Sequence, residues 1–144
     1  HIGGSTLEAQ ENIAQFVSKR LEDYWFKAST MLSVNLPQIT TGPCKGAARI
    51  AHLHANLPGV LAKVNQVLGE QDINISAQAL GTEGEIGYVV TDVTKCPDEV
   101  TIDALDAITG TIRTRIYSES LSASMACWKS SRSSKFWYTL ANRK

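Results

Sequence analysis

His52-Leu53-His54-Ala55-Asn56-Leu57-Pro58-Gly59-Val60-Leu61 begins with the period of a strand and ends with the punctuation of a helix start. Alternation puts His52, His54 and Asn56 on one face, opposite Ala51, Leu53 and Ala55. Pro58 suits a first helical turn, and Gly59 removes a side chain where helix amides point outward, a place favourable to a carboxylate. Working outward, Arg49 to Asn56 reads as a strand, and Pro58 to Gln71 as a helix with Val60, Leu61, Val64, Val67 and Leu68 on one face. Asn74 to Leu80 is a second strand, Gly81 to Gly84 a turn, and Ile86 to Val93 a third strand rich in β-branched residues. Pro97 to Ile108 is a second helix, and Thr111 to Tyr117 a fourth strand alternating Ile112 and Ile116 with Arg113 and Arg115. The order βαββαβ predicts an α+β, ferredoxin-like domain: a four-stranded antiparallel sheet with two helices on one face. A domain of roughly 70 residues has a modest core, which favours a partner across a sheet edge.

Ahead of this domain, Ser5-Thr6-Leu7-Glu8 has the form of a capping box, and Ile13, Phe16, Val17, Leu21 and Tyr24 recur at helical spacing, so an amphipathic helix is expected from Ser5. Met31 to Pro37 reads as a short strand, and residues 38–46, with Thr40-Thr41-Gly42-Pro43, as a linker. Residues 118–144 differ in composition, with five Lys/Arg against one acidic residue, eight serines and no sustained apolar period. A disordered tail is expected there. The whole chain has zero formal net charge and 43% hydrophobic residues, which fits a globular protein and gives no broad electrostatic footprint for nucleic acid. In the tail, Trp128, Phe136, Trp137 and Tyr138 among Lys129, Arg132 and Lys135 could mimic a nucleic-acid or membrane patch, but no such partner is expected. No apolar run reaches the ~20 residues of a membrane helix. Cys44, Cys96 and Cys127 are odd in number and widely spaced, so neither a disulfide framework nor a CxxC metal pair is indicated, and a reducing cytoplasm is the expected setting.

His54, Asn56 and Gly59, with Asn74 at the start of the second strand, form a small polar set suited to an amino acid. Imidazole and amide donors or helix amides can satisfy a carboxylate, and an amide oxygen can accept from an ammonium. The same residues could equally just finish a strand and occupy a turn, and spacing alone leaves the two open. Metal binding by His52, His54 and Cys96 is a weak alternative, because two His at i, i+2 lack further ligands at metal spacing.

The runs His54-Ala55-Asn56-Leu57-Pro58-Gly59-Val60-Leu61, Glu70-Gln71-Asp72-Ile73-Asn74-Ile75, Gly87-Tyr88-Val89-Val90-Thr91-Asp92 and Gly110-Thr111-Ile112-Arg113 resemble, in this order, the ACT domain of bacterial-type D-3-phosphoglycerate dehydrogenase. The resemblance covers about residues 1–117. It implies that two ACT domains join across a sheet edge and bind L-serine at the joint as a feedback inhibitor, with His54 and Asn56 from one subunit and Asn74 from the other. Leu57 departs from the family pattern, which carries Arg before Pro-Gly, so a charged contact at the pocket rim is absent. His1-Ile2-Gly3-Gly4-Ser5-Thr6 resembles the end of the family's nucleotide-binding domain. By that resemblance His1 is the catalytic acid/base, and Gly3 and Gly4 approach the nicotinamide of NAD.

The resemblance therefore implies residues 1–37 from the dehydrogenase body, a linker at 38–46, an ACT regulatory domain at 47–117 and a tail at 118–144. The first residue is not Met, which points to a processed chain or a fragment. No G-x-G-x-x-G follows a strand, so neither bound NAD nor dehydrogenase activity is expected of this chain alone. The rival reading is a free-standing ACT protein that binds an amino acid and controls a partner, and a structural scaffold is the residual class. The His1 to Thr6 motif distinguishes the first of these, because a separate sensor has no use for it.

Overall fold

The computed structural model describes Gly4 and residues 6–118. The first element, α1 (Leu7–Lys27), is capped by Thr6, whose hydroxyl accepts from Ala9 N at 3.1 Å. The cap is thus one residue later than the Ser5-x-x-Glu8 pattern predicts, which puts Glu8 in the first turn, where its charge suits the positive end of the helix. The helix ends at Ala28, which is buried in the left-handed conformation (φ 58°) with its amide on Tyr24 O.

Met31 to Pro37 is not a strand. Leu32 has φ 63°, Ser33 Oγ accepts from the amides of Asn35 and Leu36, and the chain doubles back. Thr30 closes the loop, donating its hydroxyl to Pro37 O at 2.6 Å and accepting from Ile39 N at 2.9 Å. An isolated extended segment would leave its amides without partners, and the local turn supplies them. Residues 38–46 hold no helix or strand, yet Ile39 is buried.

The remaining elements follow the expected order: β1 (Ala48–Ala55), α2 (Val60–Glu70), β2 (Ile75–Glu83), β3 (Ile86–Val93), α3 (Glu99–Asp106) and β4 (Thr111–Tyr117). They form one sheet of order β2-β3-β1-β4 with every neighbouring pair antiparallel, as the ferredoxin-like reading requires. The predicted turn at Gly81 to Gly84 is tighter than expected, because β2 runs on to Glu83 and only Gly84 and Glu85 make the bend. Gly84 supplies the positive φ of 56°. Helix α3 starts two residues later than predicted, with Asp98 as its cap accepting from Thr101 N.

One face of the sheet packs under α2 and α3, with Ile50, Val64, Leu68, Val93 and Leu105 at the centre of the core. The opposite face is covered by the chain ahead of the domain: Ala28 and Ile39 close over Ala51, Tyr88 and Val90. Tyr88 donates its hydroxyl to Ala28 O at 3.0 Å, and the Arg115 guanidinium lies over the rings of Tyr24, Trp25 and Tyr117.

Arg49 fastens this cover. Its Nε and one terminal nitrogen bond the two oxygens of Asp92 at 2.6 and 2.9 Å across the β1/β3 pair. The remaining donors reach Lys27 O, Gly42 O and Pro43 O at 2.8, 2.9 and 3.2 Å, so all five guanidinium N–H groups are engaged. By contrast, the rest of α1 buries none of its residues, and Leu7, Ile13, Phe16, Val17 and Leu21 stay exposed.

Candidate functional site

The end of β1 carries the polar residues singled out from the sequence. His52 and His54 share the helix-covered face, as alternation predicts, and both are buried, at 0% and 3% exposure. Their rings stack with centroids 5.4 Å apart. His54 Nδ1 lies 2.7 Å from Ala55 O, and because a carbonyl only accepts, this nitrogen carries the proton. His52 Nε2 lies 2.9 Å from Thr111 Oγ1, whose own hydroxyl donates to Leu105 O at 3.1 Å, so His52 Nε2 is also the protonated nitrogen. Burial first, and then the neighbouring His54, push the His52 pKa down from 6.5 to about 4, against opposing effects from Asp106 and Leu105. The His52 ring is therefore neutral near pH 7.

The His54 ring lies over Gly87 of β3. A Cβ there would sit 2.3 Å from His54 Cε1 and 2.7 Å from Nε2, so Gly87 clears the space that the imidazole occupies. Thr111 enters beneath the histidines at an irregularity in the β1/β4 pairing, where the register shifts between Leu53 and His54.

Asn56 lies one residue past the strand, is exposed, and donates its side-chain amide to Gly84 O at 3.1 Å, at the tip of the β2/β3 turn. Alternation along the strand therefore does not carry through to Asn56. Gly59 is the cap residue of α2 with φ 85° and no side-chain cap, and an added Cβ would meet nothing within 4 Å. The glycine there serves the backbone conformation, not the space around it. Leu57 is half-exposed beside these residues and packs against Gly110.

Asn74 is not brought to this group within one copy. β1 and β2 both run antiparallel to β3, and β2 begins at Ile75 opposite Val93, the residue that pairs with Ala48 at the start of β1. Asn74 is exposed at that far end, about 25 Å along the strands from Asn56.

Of the other predicted site residues, His1 and Gly3 lie outside the described residues, and Gly4 is exposed ahead of α1. The described residues contain no parallel βαβ unit and do not fit a dinucleotide site. Among them no group of three or more His, Cys, Asp or Glu is placed to hold a metal, and no helix is long and apolar enough to cross a membrane. The sequence reading missed Gly87 and Thr111 as parts of the site. A glycine inside a β-branched strand was the available signal for the first.

Residues 50–113 match the family described as the AHAS small subunit-like ACT domain. Over 118 residues, or 81% of its length, the chain is 46% identical to the C-terminal region of D-3-phosphoglycerate dehydrogenase from Escherichia coli (strain K12). The chain belongs to the D-3-phosphoglycerate dehydrogenase family. The protein of that name from Haemophilus influenzae is 45% identical over 116 residues, and that from Dictyostelium discoideum 37% over 116. The chain spans 28% of the length of each of these relatives.

Proposed function

We propose that this chain is the L-serine-sensing part of a D-3-phosphoglycerate dehydrogenase, and that it senses serine as a pair. The separation of Asn74 from His54 and Asn56 carries this reading. Among the described residues β2 is an edge strand, unpaired on its outer side, with Ile75 and Leu80 exposed. Such an edge is a template for another strand. If two β2 strands pair antiparallel about a two-fold axis, Asn74 of the second copy arrives at the end of the joint sheet where Asn56 reaches over Gly84. Serine then lies between His54, Asn56 and Gly59 of one copy and Asn74 of the other, and the joined sheets form one eight-stranded sheet.

In this reading residues 47–117 are the regulatory unit, 38–46 the connection, and 1–37 part of the dehydrogenase body. The longer protein oxidises 3-phosphoglycerate to 3-phosphohydroxypyruvate with NAD in serine biosynthesis, and serine restrains it. Hydride transfer belongs to that longer protein, with His1 as acid/base and Gly3 and Gly4 at the nicotinamide.

Calorimetric titration of the dimer with L-serine, with glycine and L-alanine as controls, tests the proposal. Binding that disappears in both His54→Ala and Asn74→Ala supports it. A folded dimer that takes up no serine refutes it.

A further inference from the structure

Helix α1 keeps its apolar side chains out of the core. Ile13, Phe16, Val17 and Leu21 recur at helical spacing on one face and are 47–63% exposed. Towards its C-terminal end this stripe runs into a cleft of about 280 Å³ beside the turn at 31–37, where Leu21 and Tyr24 stand with Met31, Leu32 and Leu36. Stripe and cleft share Leu21 and make one apolar surface, of the kind that marks an interaction site. Arg20 lies within it, its guanidinium 5.1 Å from the centre of the Phe16 ring and its terminal nitrogen 3.9 Å from Asp23. Arg20 Nε is buried with no hydrogen-bond partner among the described residues. A guanidinium stays charged and only donates, so its acceptor must come from outside.

We infer that this surface docks the dehydrogenase body of the longer protein, and that the body supplies a carbonyl or carboxylate oxygen to Arg20 Nε. The inference rests on the reading of residues 1–37 as part of that body. The chain matches the C-terminal region of its relatives and spans 28% of their length, so most of a relative's chain precedes the position of His1. That chain joins α1 a few residues ahead of the stripe. A tethered partner meets the surface at high effective concentration, so an interface of modest size holds it. A second copy would add another Arg20 to the face instead of an acceptor. The last turn of α1 is already bound to the sheet, with Lys27 O accepting from Arg49 and Ala28 O from Tyr88. One helix is therefore held by the sheet at its end and by the body along its stripe.

The test is maleimide labelling of Val17→Cys, in the stripe, and of Gln15→Cys, on the opposite face, in the longer protein and in the 144-residue chain side by side. Peptide mass spectrometry separates these sites from Cys44, Cys96 and Cys127. Val17→Cys should react at least about tenfold more slowly in the longer protein, while Gln15→Cys reacts alike in both. Adding Arg20→Met to Val17→Cys in the longer protein should raise the rate about tenfold, as the docked face opens more often. Equal rates for Val17→Cys in the two proteins would leave the face bare and overturn the inference. Protection already present in the 144-residue chain would give the face to a second copy or to residues 118–144, and overturns it too. An Arg20→Met change without effect removes the acceptor. None of these outcomes bears on the titration with serine, and a chain that binds no serine can still dock.

Discussion

Replacing Arg49 with Met should destabilise the chain far more than replacing Asp92 with Asn, and the structure fixes the asymmetry. In Arg49→Met the Asp92 carboxylate stays buried and keeps the Lys45 amide at 2.9 Å but loses both guanidinium bonds. Removing one partner of a buried ion pair costs about 3–5 kcal/mol, because the other charge is left uncompensated. The carbonyls of Lys27, Gly42 and Pro43 belong to exposed residues, so water replaces Arg49 there at little cost. In Asp92→Asn, Arg49 keeps those three carbonyls and one amide oxygen, so the loss should be about 1–3 kcal/mol. Arg49→Met with Asp92→Leu should recover most of the deficit, since both charges are gone. Urea unfolding at pH 7 and one fixed protein concentration measures all four proteins. The acid dependence has a definite sign. Burial pushes the Asp92 carboxyl up, but Arg49 and the Lys45 amide outweigh it and hold it below its ordinary 3.8. The stabilisation is thus present above that value and lost as pH falls through the lower folded one. The gap between wild type and Arg49→Met should therefore narrow in acid. An Arg49→Met variant within about 1 kcal/mol of wild type at pH 7, or less stable Asp92→Asn, would refute the reasoning.

Gly87→Ala puts a methyl group into the His54 ring, so it should cost about 1–3 kcal/mol in unfolding free energy and abolish serine binding, whereas unchanged calorimetric affinity would show that His54 is not in the site. Because the folded pKa of His52 is depressed from 6.5 to about 4, the unfolded chain binds the extra proton between these values. Stability should therefore fall by roughly 3 kcal/mol as pH drops through that window, and His52→Phe should flatten the profile. Leu80→Lys puts a charge beside the β2 edge and should shift sedimentation to the monomer and remove serine binding together; a monomer that still binds serine normally would contradict a shared site. The purified 144-residue chain should form no NADH from 3-phosphoglycerate.

The sheet and its two helices were legible because the period switches cleanly, from alternation through Ala55 to the Val60, Val64 and Leu68 stripe, which is buried as predicted, whereas β1 is buried on both faces because the chain ahead of the domain covers its other side. Met31 to Pro37 has the apolar composition of a strand, but Thr30 and Ser33 satisfy the backbone locally and turn the chain back. Arg49 and Asp92 looked like ordinary polar positions of two strands. Only their cross-strand register and the cover over that face make them a buried pair. His54 and Asn56 were found by their place between strand and helix, but the proton positions that make His54 an acceptor depend on Ala55 O and cannot be seen in a string of letters.

The five-donor clamp of Arg49 also tells an engineer where to cut. A graft of this sensor onto another enzyme would naturally be excised at Gly46, where the sheet begins. That cut discards Lys27, Gly42 and Pro43 along with Ala28, and leaves Arg49 and Tyr88 on a bare face. The portable unit starts upstream, at the last turn of α1. A chimera joined there would carry a stiff handle already oriented by the sheet, and one joined at Gly46 would carry a loose string.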